Sequence, residues 1–166
     1  MRVFAVSGFS GTGKTAVVET LVRALRERGS SVATVKSSKE DIGAPEGTDT
    51  WKHEKAGADP TVLVGPHSTT LRLRSRQKIR ATLLGHDTDF LLIEGMKEEN
   101  MPKFWCVGNG PFRPRDIPPS AMAVVAWDTS AVDATKVKIP VIRATDTEKL
   151  LEIVLREAVD ISKLDI

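Results

Sequence analysis

The sequence predicts an α/β fold built on a mostly parallel sheet, and three observations carry that prediction. Two short runs, Val3-Phe4-Ala5-Val6 and Phe90-Leu91-Leu92-Ile93, are continuously apolar, as strands covered on both faces of a parallel sheet require. The first run leads into a glycine-rich turn and then an amphipathic helical pattern, which opens a strand–helix–strand unit with a right-handed crossover. Strand and helix patterns alternate along the rest of the chain, as in layered α/β folds.

In order, residues 2–7 read as a buried strand, and residues 8–13 hold too much glycine to continue it. Residues 14–28 read as a helix: Val17, Val18, Leu21, Val22 and Leu25 fall on one stripe, and Gly29 supplies a stop. Residues 32–36 form the second strand. The polar stretch 37–47, with Gly43, Pro45 and Gly47, reads as a surface loop. Residues 48–56 look helical and end at Gly57. Residues 61–64 and 70–74 are short strands whose connection, Gly65-Pro66-His67-Ser68, has turn chemistry and allows a hairpin. A helix over 78–84, strands over 89–93, 103–107, 121–126 and 141–142, a loop over 108–120 and a closing helix over 148–159 complete the reading.

The 166 residues fit one domain, 1–166, because a chain of this size buries roughly 70% of its unfolded surface. A net charge of +2 gives no global field that demands nucleic acid or an acidic membrane as partner. No stretch approaches the length of about 20 apolar residues that spans a bilayer. A lone cysteine, Cys106, has no partner for an internal disulfide, and no zinc-type spacing is present. These features fit a cytoplasmic protein.

The segment Gly8-Phe9-Ser10-Gly11-Thr12-Gly13-Lys14-Thr15 matches the phosphate-binding pattern GxxxxGK(S/T) in full. Gly8, Gly11 and Gly13 allow the backbone to curl, so that N–H groups, including those near Ser10 and Thr12, point at an anion. The positive end of the following helix adds to the same site. Lys14 supplies a mobile charge for the outer phosphates, and the Thr15 hydroxyl is suited to Mg2+. The strand before and the helix after give the motif its proper context, so the predicted architecture is a three-layer fold of the P-loop NTPase type with a small hairpin extension.

Such a site needs an acidic residue on a neighbouring strand. The strand at 89–93 is flanked by Asp89 and Glu94, which lie roughly 16 Å apart at about 3.3 Å per residue. If the strands are parallel, Glu94 is on the ligand edge and Asp89 is on the far one. Asp49 reads either as a second metal ligand or as a helix-start residue, a good N-cap whose charge favours a helix N-terminus. Lys36 ends the second strand, where it either touches phosphate or is ordinary strand-end charge.

Other features carry less. His53, His67 and His86 are scattered without ligand spacing. Arg72, Arg74, Arg76, Lys78 and Arg80 read either as a solvated edge or as a patch for a second anion. Trp51, Trp105 and Trp127 are expected in core or interface packing rather than as base-stacking platforms, and Cys106 as a buried small hydrophobe. No NKxD guanine-reading motif occurs, so spacing alone does not separate GTP from ATP.

The chain resembles the MobB family of molybdopterin-guanine dinucleotide biosynthesis adaptor proteins. The resemblance is carried by the phosphate loop, Val35-Lys36, Asp49-Thr50-Trp51-Lys52-His53 with Ala56-Gly57-Ala58, and Leu92-Ile93-Glu94-Gly95-Met96-Lys97. It covers about the first hundred residues. It implies a dimeric GTP-binding protein with weak hydrolysis that assists the MobA-type guanylyltransferase joining GMP to molybdopterin, with molybdopterin as a further contact. By position it implies that Gly13, Lys14 and Thr15 bind phosphate and Mg2+, and that Asp49 and Glu94 belong to the metal site. The resemblance departs at residues 37–41, where family members often carry a histidine-rich run and this chain has Ser37-Ser38-Lys39-Glu40-Asp41. The alternative from the residues alone is a P-loop small-molecule kinase, with Glu94 as base and the Arg72–Arg80 stretch holding substrate. A nickel-type metallochaperone would require Cys and His clusters.

Overall fold

The computed structural model describes residues 1–73, 79–83, 85–108 and 113–166. The chain divides into two compact units, one formed by Met1–Ser37 with His86–Asp165 and the other by Ser38–Gly85 with Ile166.

In the first unit the apolar runs become neighbouring strands. β1 (Arg2–Gly8) lies between β5 (Phe90–Glu94) and β6 (Lys103–Val107), and β2 (Val32–Lys36), β7 (Ala121–Ala126) and β8 (Val141–Arg143) extend the sheet in the order β2-β5-β1-β6-β7-β8. All of these pairings are parallel. Both faces of the central strands are covered: Val3, Phe4, Ala5 and Val6 are fully buried, as are Leu91, Leu92 and Ile93. Alternation along parallel strands needs no polar face under such cover, which explains the unbroken apolar sequence.

Helix α1 (Lys14–Glu27) follows the glycine loop and buries Val17, Val18, Leu21, Ala24 and Leu25. It packs with α4 (Thr147–Glu157) and with Phe4, Val6, Leu92, Phe104 and Val125 in one core. Each buried Val or Leu contributes roughly 1.5–3 kcal/mol. Val124 and Ala126 of β7 pack with Val132, which follows a short 3-10 segment at Thr129–Ala131.

The closing helix is shorter than the sequence pattern suggests. It ends at Glu157, Ala158 turns to an extended conformation, and Val159–Asp160 forms β9, antiparallel to β1 with Val159 opposite Val3. β6 pairs with β1 only from Ala5 onward, so β9 occupies the edge that Arg2 and Val3 leave open. The Arg2 guanidinium reinforces this join by donating to the carbonyls of Leu155 and Ala158 at the helix end, where cations are favoured.

The second unit contains α2 (Asp49–Lys55), the antiparallel pair β3 (Thr61–Val64) and β4 (Thr69–Arg72), and α3 (Ile79–Thr82). The expected hairpin is present. Val62 pairs with Leu71 and Val64 with Thr69, so Val62, Val64 and Leu71 share one face, and all three are exposed. Residues 74–78 lie outside the described residues, and with them the expectations for Arg74, Arg76 and Lys78 and for the start of the helix at 78. Leu84, its expected end, also lies outside. Of the remaining basic residues, Arg72 sits 3.8 Å from Glu54 and donates to the Ile42 carbonyl at 3.0 Å, while Arg80 is exposed.

Candidate functional site

The glycine loop leaves β1 at the carboxyl edge of the sheet, where α/β folds bind ligands. Its internal hydrogen bonds converge on one carbonyl: Thr12 Oγ1 and Lys14 Nζ both donate to Phe9 O, at 2.9 and 2.5 Å. This holds the Lys14 ammonium against the loop. Gly13 is the residue before α1 and has φ 81°, a left-handed conformation that glycine adopts readily. With Gly13 at the cap position, no side chain bonds the first N–H groups of α1, and no acidic residue occupies its first turn. In α4, by contrast, the carboxylate of Asp146 accepts from the backbone of Lys149. The positive end of α1 is thus left free for an anion.

Opposite the loop stands Glu94, the last residue of β5. Its two carboxylate oxygens each lie 3.0 Å from Thr15 Oγ1, and its side chain is mostly enclosed, with 12% relative exposure. Lys36, paired with Glu94 across the β2–β5 register, brings its ammonium 3.3 Å from Oε1. A hydroxyl and a carboxylate in contact suit Mg2+, which takes few protein oxygens and completes its shell with water and phosphate. Asp89 stays at the opposite edge, where its carboxylate accepts from the backbone and hydroxyl of Ser31 at 2.8 and 2.9 Å. These two bonds pull its pKa below the ordinary carboxylate value.

Asp49 belongs to the second unit. It is the first residue of α2, and its exposed carboxylate pairs with Lys52 at 3.1 Å. The cap itself is the neighbouring Thr48, whose hydroxyl accepts from Trp51 N, while Asp49 takes the helix-start role as the acidic residue of the first turn, where its charge is favoured.

The segment after Glu94 is more tightly tied than a loop of its sequence suggests. Ser7 Oγ donates to Gly95 O at 2.6 Å, and Gly95 N donates to Val6 O at 3.0 Å. Lys103 is fully buried, and its ammonium spends its three protons on the carbonyls of Met96, Lys97 and Glu99, at 3.2, 3.0 and 2.6 Å. Burial pushes its pKa down, and the carboxylates of Glu99 and Glu98 oppose that shift. The fixed turn sets Lys97 Nζ 5.3 Å above the Phe9 ring, and Phe9 meets Trp105 edge-on at 5.7 Å. Sequence reading missed Lys103. The available signal was a lysine heading the apolar run Phe104-Trp105-Cys106-Val107. Cys106 is buried as expected, and desolvation raises its thiol pKa to about 12. Trp105 is core, whereas Trp127 is 46% exposed and lies against Gly13.

A cleft of about 350 Å³ opens between α1 and β2. Thr15, Lys36 and Glu94 stand at one end, and Val18, Val22 and Val35 form its apolar wall. No helix among the described residues is long and apolar enough to cross a membrane.

A parallel sheet with a glycine loop at its carboxyl edge, flowing into a helix and faced by the next strand's acid, defines a fold of the P-loop NTPase type. Comparison with known proteins narrows this. The family model described as Molybdopterin guanine dinucleotide synthesis protein B matches residues 3–127, and the chain belongs to this MobB family. The match extends beyond the hundred residues in which the sequence motifs lie.

A Methanocaldococcus jannaschii protein, named as a candidate molybdopterin-guanine dinucleotide biosynthesis adapter protein, is 36% identical over 111 residues, covering 62% of this chain and 46% of that protein. The Haemophilus influenzae adapter protein of the same name is 28% identical over 107 residues, covering 61% and 60%. The matched stretch thus spans about half the length of these curated relatives. The crystal structure of Bacillus subtilis MobB superposes with a TM-score of 0.71 at 23% identity, covering 96% of this chain and 99% of that one. A MobB homolog from Bacillus stearothermophilus gives 0.67 at 24%, covering 95% and 97%. These likenesses establish the shared fold.

Lys103→Met removes three charge-assisted bonds and should lower stability by about 2 kcal/mol. Hydrogen exchange should show faster opening of residues 96–99 than in the wild type, and unchanged protection there would contradict the role given to the buried ammonium.

Proposed function

We propose that this chain is a Mg2+-dependent GTP-binding adapter in molybdopterin guanine dinucleotide biosynthesis, serving a MobA-type guanylyltransferase that joins GMP to molybdopterin. The observation that carries the reading is the contact of Thr15 Oγ1 with both oxygens of Glu94 beside the phosphate loop. Membership of the MobB family and the names of the relatives supply the biosynthetic setting. In this reading the loop N–H groups, the start of α1 and Lys14 hold the phosphates. Thr15 and Glu94 hold Mg2+, and Lys36 offsets charge at the outer phosphate. The preference for guanine rests on the family alone. Hydrolysis is slow, and the protein acts in the cytoplasm.

Calorimetry with GTP and ATP, each with and without Mg2+, followed by a pull-down with the guanylyltransferase, tests this reading. Lys14→Ala should weaken GTP binding by about 100-fold, the scale of a lost charge-assisted contact, with an unchanged circular dichroism spectrum. Equal affinity in the variant, a preference for ATP or no association with the enzyme would contradict the proposal. The kinase alternative would use the cleft beside Glu94 as its acceptor pocket, and triphosphate turnover that rises sharply with a small hydroxyl compound would favour it.

The homodimer belongs to the same proposal. Val62, Val64 and Leu71 give the hairpin an exposed apolar face of the kind that marks interaction sites, and a two-fold axis can pair such a face with itself. Sedimentation equilibrium should find a dimer for the wild type and a monomer for Val64→Lys. A monomeric wild type, or a variant that remains dimeric, would contradict this assignment.

A further inference from the structure

Trp127 follows β7 directly, at the same carboxyl edge from which the glycine loop departs. The four residues before it, Ala123 to Ala126, are buried, yet its own side chain is 46% exposed. The indole occupies the space that any side chain on Gly13 would need. A Cβ built there would overlap the indole nitrogen and lie 3.1 and 3.3 Å from Cε2 and Cδ1. A large, partly exposed aromatic ring therefore touches the loop residue that starts α1.

The position of this ring along the sheet gives it a direction relative to bound nucleotide. Glu94 and Lys36 stand on β5 and β2, on one side of β1, whereas Trp127 stands on the other side, past β6. If the outer phosphates and the metal lie toward Glu94, the phosphate chain runs along the loop, and its sugar and base emerge on the β6–β7 side. Aromatic faces stack on any base and tolerate its identity. Such a contact therefore requires no base-reading motif, and none is present in the sequence.

We propose that Trp127 is the wall of the nucleoside subsite, packing against the sugar and base of the bound nucleotide. This assignment rests on the triphosphate reading of the loop. It revises the expectation that all three tryptophans serve packing: Trp105 does so, and Trp127 faces ligand.

The test compares GTP, GDP and inorganic tripolyphosphate by calorimetry in the wild type, Trp127→Ala and Trp127→Phe. Trp127→Ala should weaken GTP and GDP about ten-fold, a stacking-scale loss, and leave tripolyphosphate affinity unchanged, while Trp127→Phe retains most of the nucleotide affinity. A fluorescence measurement adds a check that does not need the alanine variant to fold: GTP should quench tryptophan emission in the wild type and not in Trp127→Phe, and tripolyphosphate should quench neither. Equal loss for GTP and tripolyphosphate would make Trp127 a support of the loop only and overturn the proposal, as would unaltered GTP binding in Trp127→Ala. A wild type that binds tripolyphosphate and GTP equally well overturns the nucleoside subsite and leaves the phosphate loop standing. A wild type that binds neither overturns both.

Discussion

β1 and β5 run parallel with Val6 opposite Glu94, and β5 and β2 run parallel with Glu94 opposite Lys36. This register brings a glycine loop, a carboxylate and an ammonium to one edge of the sheet. It is locked by burial on both faces: Phe4 and Leu92 enter the core under α1, while Val3 and Leu91 are buried on the other side. A slip of one residue would exchange the faces and turn Glu94 away from Thr15. The same apolar packing that stabilises the sheet therefore fixes the polar geometry of the site.

Around that edge the chain withholds the groups that usually satisfy a helix start. Gly13 provides no capping side chain to α1, and its bare Cα is what lets the Trp127 indole approach. Thr12 and Lys14 instead brace Phe9 O. On the other flank, Ser7 and Lys103 pin the turn that follows Glu94. Two strands that contribute no atom to the phosphate loop itself, β5 and β6, thus set its surroundings through the short segment 95–99.

Much of this was legible in the sequence because it depends on local pattern. The buried strands, α1 and the hairpin follow from apolar runs, helical spacing and turn residues. The choice of Glu94 over Asp89 needs only strand direction. What was not legible depends on long-range pairing. β9 arises because β6 joins β1 late, leaving Arg2 and Val3 a free edge that two residues with no strand signal can fill. Lys103 resembles any strand-leading lysine until the carbonyls of Met96, Lys97 and Glu99 are seen around it. Trp127 has no periodicity that separates a core tryptophan from one at a rim, and only its contact with Gly13 does so. Asp49 starts its helix as the local pattern indicates, but one residue inside the cap, which Thr48 supplies.

In the proposed function, Glu94 and Thr15 together hold Mg2+ against a triphosphate on the loop. The most direct test measures the Mg2+ dependence of GTP affinity in the wild type and in Glu94→Gln. Mg2+ should strengthen GTP binding to the wild type and have little effect on the variant. An equal Mg2+ effect in both proteins would contradict it.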